Sequence, residues 1–329
     1  MTGNRILIIK LGALGDVLLA TPHMHSIVAA HPDARVTLLT APAYADLLQD
    51  QAGLEIVAFP RRGWVAMWRV LVWLRRRRFA VVYDLQGSLR SRIMTRLSGA
   101  RRRIGRARNV AYTHAPPPAA SGTHAFRELN ALLEVAGIEP ATPRVWLAEP
   151  VADAARVDTW LQDNTPRDAR LVLLHAGASE RWPAKRWEAE SYAALAAVLD
   201  TRGFTVIWIG GAADRAVNRR LAGETGIDAT DAFSITELVA LGRRARFAVV
   251  NDSGPMHLLA AAALPVYALF GPTDWRRSHA LGQEGRVLRH AVDCSPCFLP
   301  ECPPGRGHRC LREITPATVL ARLEADGRL

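Results

Sequence analysis

Short apolar, β-branched runs alternate along this chain with longer helical segments. In the first half, Arg5–Lys10, Arg35–Thr40, Glu55–Phe59 and Ala80–Tyr83 read as strands, with helices at Asp16–Ala30, Val65–Arg77 and Ala125–Ala136. The stretch from Glu139 to Pro150, with prolines at 140, 143 and 150, reads as a linker. The second half repeats the plan. Its strands are Leu171–His175, Thr205–Ile209, Phe247–Val250 and Val266–Phe270, and its helices Glu188–Arg202, Asp214–Thr225, Ile235–Arg243 and Pro255–Ala263. A closing helix near Pro316–Leu323 is expected to pack back on the first domain. Strands alternating with helices in this way predict parallel, doubly wound α/β sheets.

A chain of 329 residues exceeds the usual single domain, so two are expected, 1–150 and 151–329. Two Rossmann-like domains facing across a cleft form the GT-B architecture, with ligands beyond the carboxyl ends of the strands. No apolar run reaches membrane-spanning length, and Lys10 and Asp16 interrupt the apolar start, so a cytoplasmic protein is expected. The net charge of +11 is unevenly placed. Residues 1–150 hold 20 Arg and Lys against 10 Asp and Glu, and residues 151–329 hold 22 against 21. The first half should therefore face something anionic: nucleic acid, an anionic membrane surface or an acidic substrate.

The most informative stretch is Asn251-Asp252-Ser253-Gly254-Pro255-Met256-His257, a strand end, a tight turn and a helix start. Pro255 suits a first helical turn, and Gly254 lets a ligand approach the backbone. The free amides and dipole of such a helix seat phosphate, while Asp252 repels phosphate and suits hydroxyls. Together they point to a nucleotide-linked sugar; helix capping by Asp252 and Ser253 is the alternative. A second turn, Gly12-Ala13-Leu14-Gly15-Asp16, is G-x-x-G, and the second strand ends without an acid, which argues against a dinucleotide site. No Walker-type loop is present, and no Asp-x-Asp that would hold a catalytic divalent cation.

The run Asn251 to Ala262, followed by Tyr267 to Asp274, resembles the signature of the family 9 glycosyltransferases, the heptosyltransferases of lipopolysaccharide core assembly. The G-x-x-G-D turn, Gln86-Gly87 and Lys185-Arg186-Trp187 follow that family's pattern in order, with Glu188 where the family has proline. The resemblance implies a metal-independent, inverting glycosyltransferase moving heptose from ADP-heptose to Kdo or heptose on lipid A. No cofactor is implied beyond the ADP-sugar donor substrate. Asp16 becomes the general base for the acceptor hydroxyl. Lys185 neutralises the donor pyrophosphate, aided by the Ser253 and Gly254 amides; Asp252 orients sugar hydroxyls and His257 supports the turn. Gly177 and Ala178 let backbone approach the donor. Asp214 binds the adenosine ribose, or merely caps its helix. Arg61, Arg62, Gln86 and Arg90 are acceptor-side candidates, since guanidinium groups bind carboxylates and phosphates.

The helix after Trp64, with Trp68, Trp73 and Arg75–Arg78, either covers its sheet or touches an anionic inner-membrane surface from the cytosolic side. Arg101 to Arg108 adds a second basic patch. Cys294, Cys297, Cys302 and Cys310 resemble a metal cluster, but the second pair lacks C-x2-C spacing, so free thiols compete with a metal. A monomer is expected. The rival readings are a family 9 enzyme with another sugar nucleotide or acceptor, and a basic nucleic-acid-binding protein, which lacks any recognised nucleic-acid module.

Overall fold

Ile6 to Ile9 are fully buried because they form the middle strand of a parallel sheet with neighbours on both edges. The structure, a computed structural model, describes residues 5–60, 63–148 and 150–329. The chain forms two compact units, Met1–Ala148 and Glu149–Leu329.

In the first unit, β1 (Arg5–Ile9), β2 (Arg35–Thr40), β3 (Leu54–Ala58), β4 (Val81–Asp84) and β5 (Arg102–Gly105) stand in the order β3-β2-β1-β4-β5. All pairings are parallel, with Ile8 opposite Leu38 on one side and Tyr83 on the other. The connecting helices are α1 (Leu14–Ala29), α2 (Ala45–Leu48), α3 (Trp64–Arg77), α4 (Leu89–Leu97) and α5 (Ala125–Val135). The chain leaves β1 toward β2 and returns to β4 on the opposite side of β1. The loops after β1 and β4 therefore diverge at a switch point, where open α/β sheets bind ligands.

In the second unit, α6 (Val151–Asn164) precedes β6 (Arg170–His175), α7 (Ala189–Thr201), β7 (Phe204–Gly210), α8 (Arg215–Glu224), β8 (Ile227–Thr230) and α9 (Ile235–Gly242). Then follow β9 (Phe247–Asn251), α10 (Gly254–Ala261), β10 (Val266–Phe270), α11 (Trp275–Ser278), β11 (Val287–Arg289), α12 (Arg309–Arg312) and α13 (Pro316–Ala325). The sheet order β11-β10-β9-β6-β7-β8 is parallel throughout. Its switch point falls between β6 and β9, at the loops after His175 and Asn251.

The doubly wound α/β class expected from the sequence is the class that forms. The basic patch at Arg101–Arg108 contains β5: Arg102 and Arg103 donate to the carbonyls of Ala136, Ala111 and Ala100, and Arg106 pairs with Glu128. Arg102 and Arg103 thus hold backbone carbonyls, while Arg106 pairs with Glu128 and also lines a cavity with Arg92 and Arg127. Helix α6, unread in the sequence, docks on α9 through Arg156–Glu237 and Arg244–Asp158. The closing helix α13 forms where expected, and its Val319 and Leu323 are fully buried in the core of the second unit, where it packs on α7.

Helix α3 divides its residues between two environments. Val70 and Leu74 are buried in the first unit's core, each contributing about 1.5–3 kcal/mol. Trp64 and Trp68, one turn apart, are 83% and 63% exposed. Among the described residues no helix is long and apolar enough to cross a membrane.

Candidate donor and acceptor sites

The donor-side turn is built on Asn251, whose side chain is fully buried at the end of β9. Its Oδ1 accepts from the Trp187 amide at 3.0 Å and the Tyr192 hydroxyl at 3.3 Å. Its Nδ2 donates to the carbonyls of Ala176 and Gly177 at 3.0 and 2.9 Å. One amide thus ties the β6 loop, the approach to α7 and the β9 turn together across the switch point. Asn251→Ala leaves two carbonyls and an amide buried without partners, at about 1–3 kcal/mol each. Thermal unfolding of this variant should show a large loss of stability; a melting temperature within a degree or two of wild type would contradict the assignment.

Asp252 follows, only 5% exposed. Its backbone amide extends the ladder to Leu269, and its carboxylate meets Lys185 Nζ at 2.7 Å and accepts from Thr273 Oγ1 at 2.6 Å. The two residues that the family resemblance assigned to sugar hydroxyls and to pyrophosphate are thus brought together as an ion pair. Lys185 closes a 3-10 turn, Pro183–Lys185, and its ammonium also lies 5.3 Å from the Trp182 ring centre. Ser253 is extended, and α10 begins at Gly254 with Pro255 next, so the first-turn amides lack intrahelical acceptors as at any helix start. His257 is buried in that same first turn.

Asp214 is buried and turned inward. It accepts from the Gly211 amide at 3.1 Å and lies 3.5 Å from His175 Nε2. Burial pushes its carboxyl up, but His175, the Gly211 amide and Arg186 outweigh that and hold it below the ordinary range. Asp214 stands at the N-terminus of α8 but makes no side-chain bond to that helix; its carboxylate closes the preceding turn on Gly211. Gly177 is required beside it, because a Cβ there would sit 2.1 Å from Asp214 Oδ1. Ala178 is buried in the next position, and its carbonyl accepts from Arg186.

The cysteine-bearing segment braces these loops. The Ala184 amide donates to Pro300 O, and His308 Nε2 donates to Ala184 O at 2.7 Å. Ser295 Oγ donates to Gly271 O, and the Phe298 amide to Pro272 O. Cys294, Cys297, Cys302 and Cys310 line one small cavity beside Ala184 and Pro272, all as free thiols. Burial, with the other three thiols, pushes Cys310 up to about 11. Among the described residues no group of three or more His, Cys, Asp or Glu is placed to hold a metal ion.

On the acceptor side, Asp16 lies in the first turn of α1, exposed, and forms no hydrogen bond to another described residue. Ala13 occupies the capping position and has no side chain that could pair with Asp16 in a capping box. Behind it Lys10 is 2% exposed, with Nζ 3.4 Å from Leu85 O. Burial pushes the Lys10 ammonium down to about 8, with Asp16 and Asp84 pulling it up and Arg106 adding to the decrease. Gln86 Oε1 accepts from the Leu11 amide at 2.9 Å, so this predicted acceptor residue holds the loop that leads to Asp16 from the neighbouring strand. Asp84, fully buried, fixes the turn by accepting from the amides of Gln86 and Gly87 and from Tyr112 Oη.

Gln86 and Gly87 also line a cavity of about 540 Å³ together with Arg92, Arg106, Arg127 and Glu128. Arg90 is half-buried in α4 but is not among the lining residues; Arg92 is. Arg61 and Arg62 lie outside the described residues.

Two doubly wound parallel-sheet units carried in one chain are the plan of the GT-B fold class. The chain belongs to glycosyltransferase family 9 (heptosyltransferase), whose model matches residues 67–306. It is 27% identical to lipopolysaccharide heptosyltransferase 1 of Pseudomonas aeruginosa, over 98% of this chain and 97% of that one. Further curated heptosyltransferases match over about half their length. The fold is similar to that of a family 9 glycosyltransferase from Veillonella parvula, with a TM-score of 0.84 and 19% identity over 99% of both chains. The ADP-heptose lipopolysaccharide heptosyltransferase II of E. coli superposes with a TM-score of 0.77 and 22% identity over 98% of both chains.

Proposed function

We propose that this enzyme is an inverting heptosyltransferase that moves heptose from ADP-heptose to the inner core of lipopolysaccharide. The observation that carries the reading is the Lys185–Asp252–Thr273 cluster beside the first turn of α10. A cation and helix amides meet the diphosphate, and a carboxylate meets sugar hydroxyls within one turn. The names of the relatives supply the heptose and the acceptor.

In the reaction, Asp16 takes the proton of the acceptor hydroxyl as that oxygen attacks the anomeric carbon. The bond to ADP breaks on the opposite face, so configuration inverts. Charge growing on the departing diphosphate is met by Lys185, the Ser253 and Gly254 amides and the α10 dipole. Asp252 and Thr273 orient the sugar. The Arg92, Arg106 and Arg127 side chains suit carboxylate or phosphate groups of the acceptor.

These residues meet the leaving-group charge without a metal, so chelation is expected to leave turnover unchanged; a loss restored by a divalent ion would contradict this part. A monomeric, cytosolic enzyme resting on the anionic inner membrane fits Trp64 and Trp68, exposed one turn apart ahead of the α3 arginines. Replacing both tryptophans by alanine should weaken sedimentation with anionic vesicles about tenfold or more, while salt should weaken wild-type binding. Equal binding by variant and wild type would remove α3 from the contact.

The donor is tested by ligand stabilisation. ADP and ADP-heptose should raise the melting temperature, because anything binding only the native state does so in proportion to its affinity. UDP- and GDP-sugars should not. A larger rise with either of those would favour a family 9 enzyme with a different donor.

A further inference from the structure

The geometry points to His175 as a positioning residue that couples the turn holding Asp214 to the phosphate-side Ser253. The inference rests on reading this sheet edge as the donor site. His175 is the last residue of β6, the strand between β7 and β9, and stands opposite Val250 in the β9 register. Its ring is 4% exposed and bridges the two neighbouring loops sideways. Nε2 lies 3.5 Å from Asp214 Oδ2, in the turn after β7, and Nδ1 lies 3.4 Å from Ser253 Oγ, in the turn after β9. The Asp214 carboxylate accepts, so Nε2 carries the hydrogen toward it. In the neutral ring Nδ1 is then an acceptor for the Ser253 hydroxyl, whose single hydrogen is shared with Asn251 O at 3.1 Å.

The bridge has little freedom to move. Asp214 is wedged against Gly177 and Gly210, where an added Cβ would come within 2.1 and 2.8 Å of its side chain. The His175 carbonyl accepts from Tyr192 Oη at 2.9 Å, which fixes the backbone from which the ring projects. A shift of the Asp214 turn is therefore passed through the imidazole to Ser253, at the residue preceding the first turn of α10. The charged groups around the ring are Asp214 itself, with Arg186 acting on it, on one side, and the Lys185–Asp252 pair flanking Ser253 on the other. Asp214 and Ser253 are not hydrogen-bonded to each other among the described residues, and His175 is the one side chain whose ring meets both.

A double-mutant cycle on the full chain, with ADP as the probe in calorimetry, tests this. Ser253→Ala and Asp214→Asn should each weaken ADP binding about five- to tenfold, the loss expected for one hydrogen bond. The double variant should be little weaker than the worse single, because breaking the bridge at either end removes the same contribution. His175→Ala should raise the KM for the sugar donor by a similar factor with kcat changed less than about twofold. Ser253→Thr, which keeps the hydroxyl, should restore most of the affinity that Ser253→Ala loses. A purely structural histidine would lower the melting temperature without that split between KM and kcat and without rescue by threonine. Should Asp214→Asn fail to fold, His175→Gln paired with Ser253→Ala gives the same cycle. Losses that multiply overturn the coupling alone. Failure of the wild-type chain to bind ADP would instead overturn the reading of the site.

Discussion

Asp16→Asn should lower kcat by about 10² to 10⁴, the usual contribution of a positioned general base, while ADP binding stays near wild type. The separation follows from where the groups lie. Asp16 sits in the first turn of α1, in the first unit, and every group assigned to the diphosphate belongs to the second. Its carboxylate is exposed and forms no hydrogen bond to another described residue, so both oxygens are open to an incoming hydroxyl. The amide keeps the shape and the helix position and removes only the basicity. Steady-state kinetics with saturating donor measures the first quantity and calorimetry with ADP the second. Full turnover in this variant would remove Asp16 from the mechanism; loss of ADP binding would move it to the donor side.

Lys185→Ala should raise the donor KM about 10- to 100-fold, because a hydrogen bond to a charged group is worth about 1.5–3 kcal/mol. It should also destabilise the free protein. Without the ammonium at 2.7 Å, the Asp252 carboxylate, 5% exposed, keeps only the Thr273 hydroxyl. Leaving one member of a buried pair alone costs about 3–5 kcal/mol. The two effects can be separated. Combining Lys185→Met with Asp252→Asn removes the uncompensated charge, so the melting temperature should recover in large part while donor affinity does not. Recovery of both would mean that Lys185 serves folding alone, and recovery of neither would mean that the pair is not what holds this turn.

Much of this site was legible in the sequence because it is local. Gly254, Pro255 and the helix after them form one contiguous turn, and Asp16 lies six residues after Lys10 in another. The strands read from apolar runs are nearly those that form, since residues buried on both faces of a parallel sheet carry an unbroken apolar signal. The short strands β5, β8 and β11 stayed hidden because they are three or four residues long and carry arginine or aspartate. Helix α6 was missed because its buried contribution is Val157 and its docking rests on ion pairs to α9.

The positioning residues were invisible for a different reason. Asn251 bonds partners 59 to 75 positions away, and His175 reaches Ser253 across 78. Thr273 touches Asp252 across 21 residues, and His308 touches Ala184 across 124. No spacing pattern encodes contacts made only when strands line up side by side. Lys10 left a fainter trace: one of two lysines among 40 arginines, placed at the end of an apolar strand where a charge has to be held.

The most direct measurement is product formation. The enzyme is incubated with ADP-heptose and truncated core acceptors ending in Kdo or in a single heptose, and the mixture is followed by mass spectrometry. One acceptor should gain a single heptose with an equal release of ADP, and the Asp16→Asn enzyme should show almost none. Transfer from a UDP- or GDP-sugar in place of ADP-heptose, or release of ADP with heptose passed only to water, would contradict the account.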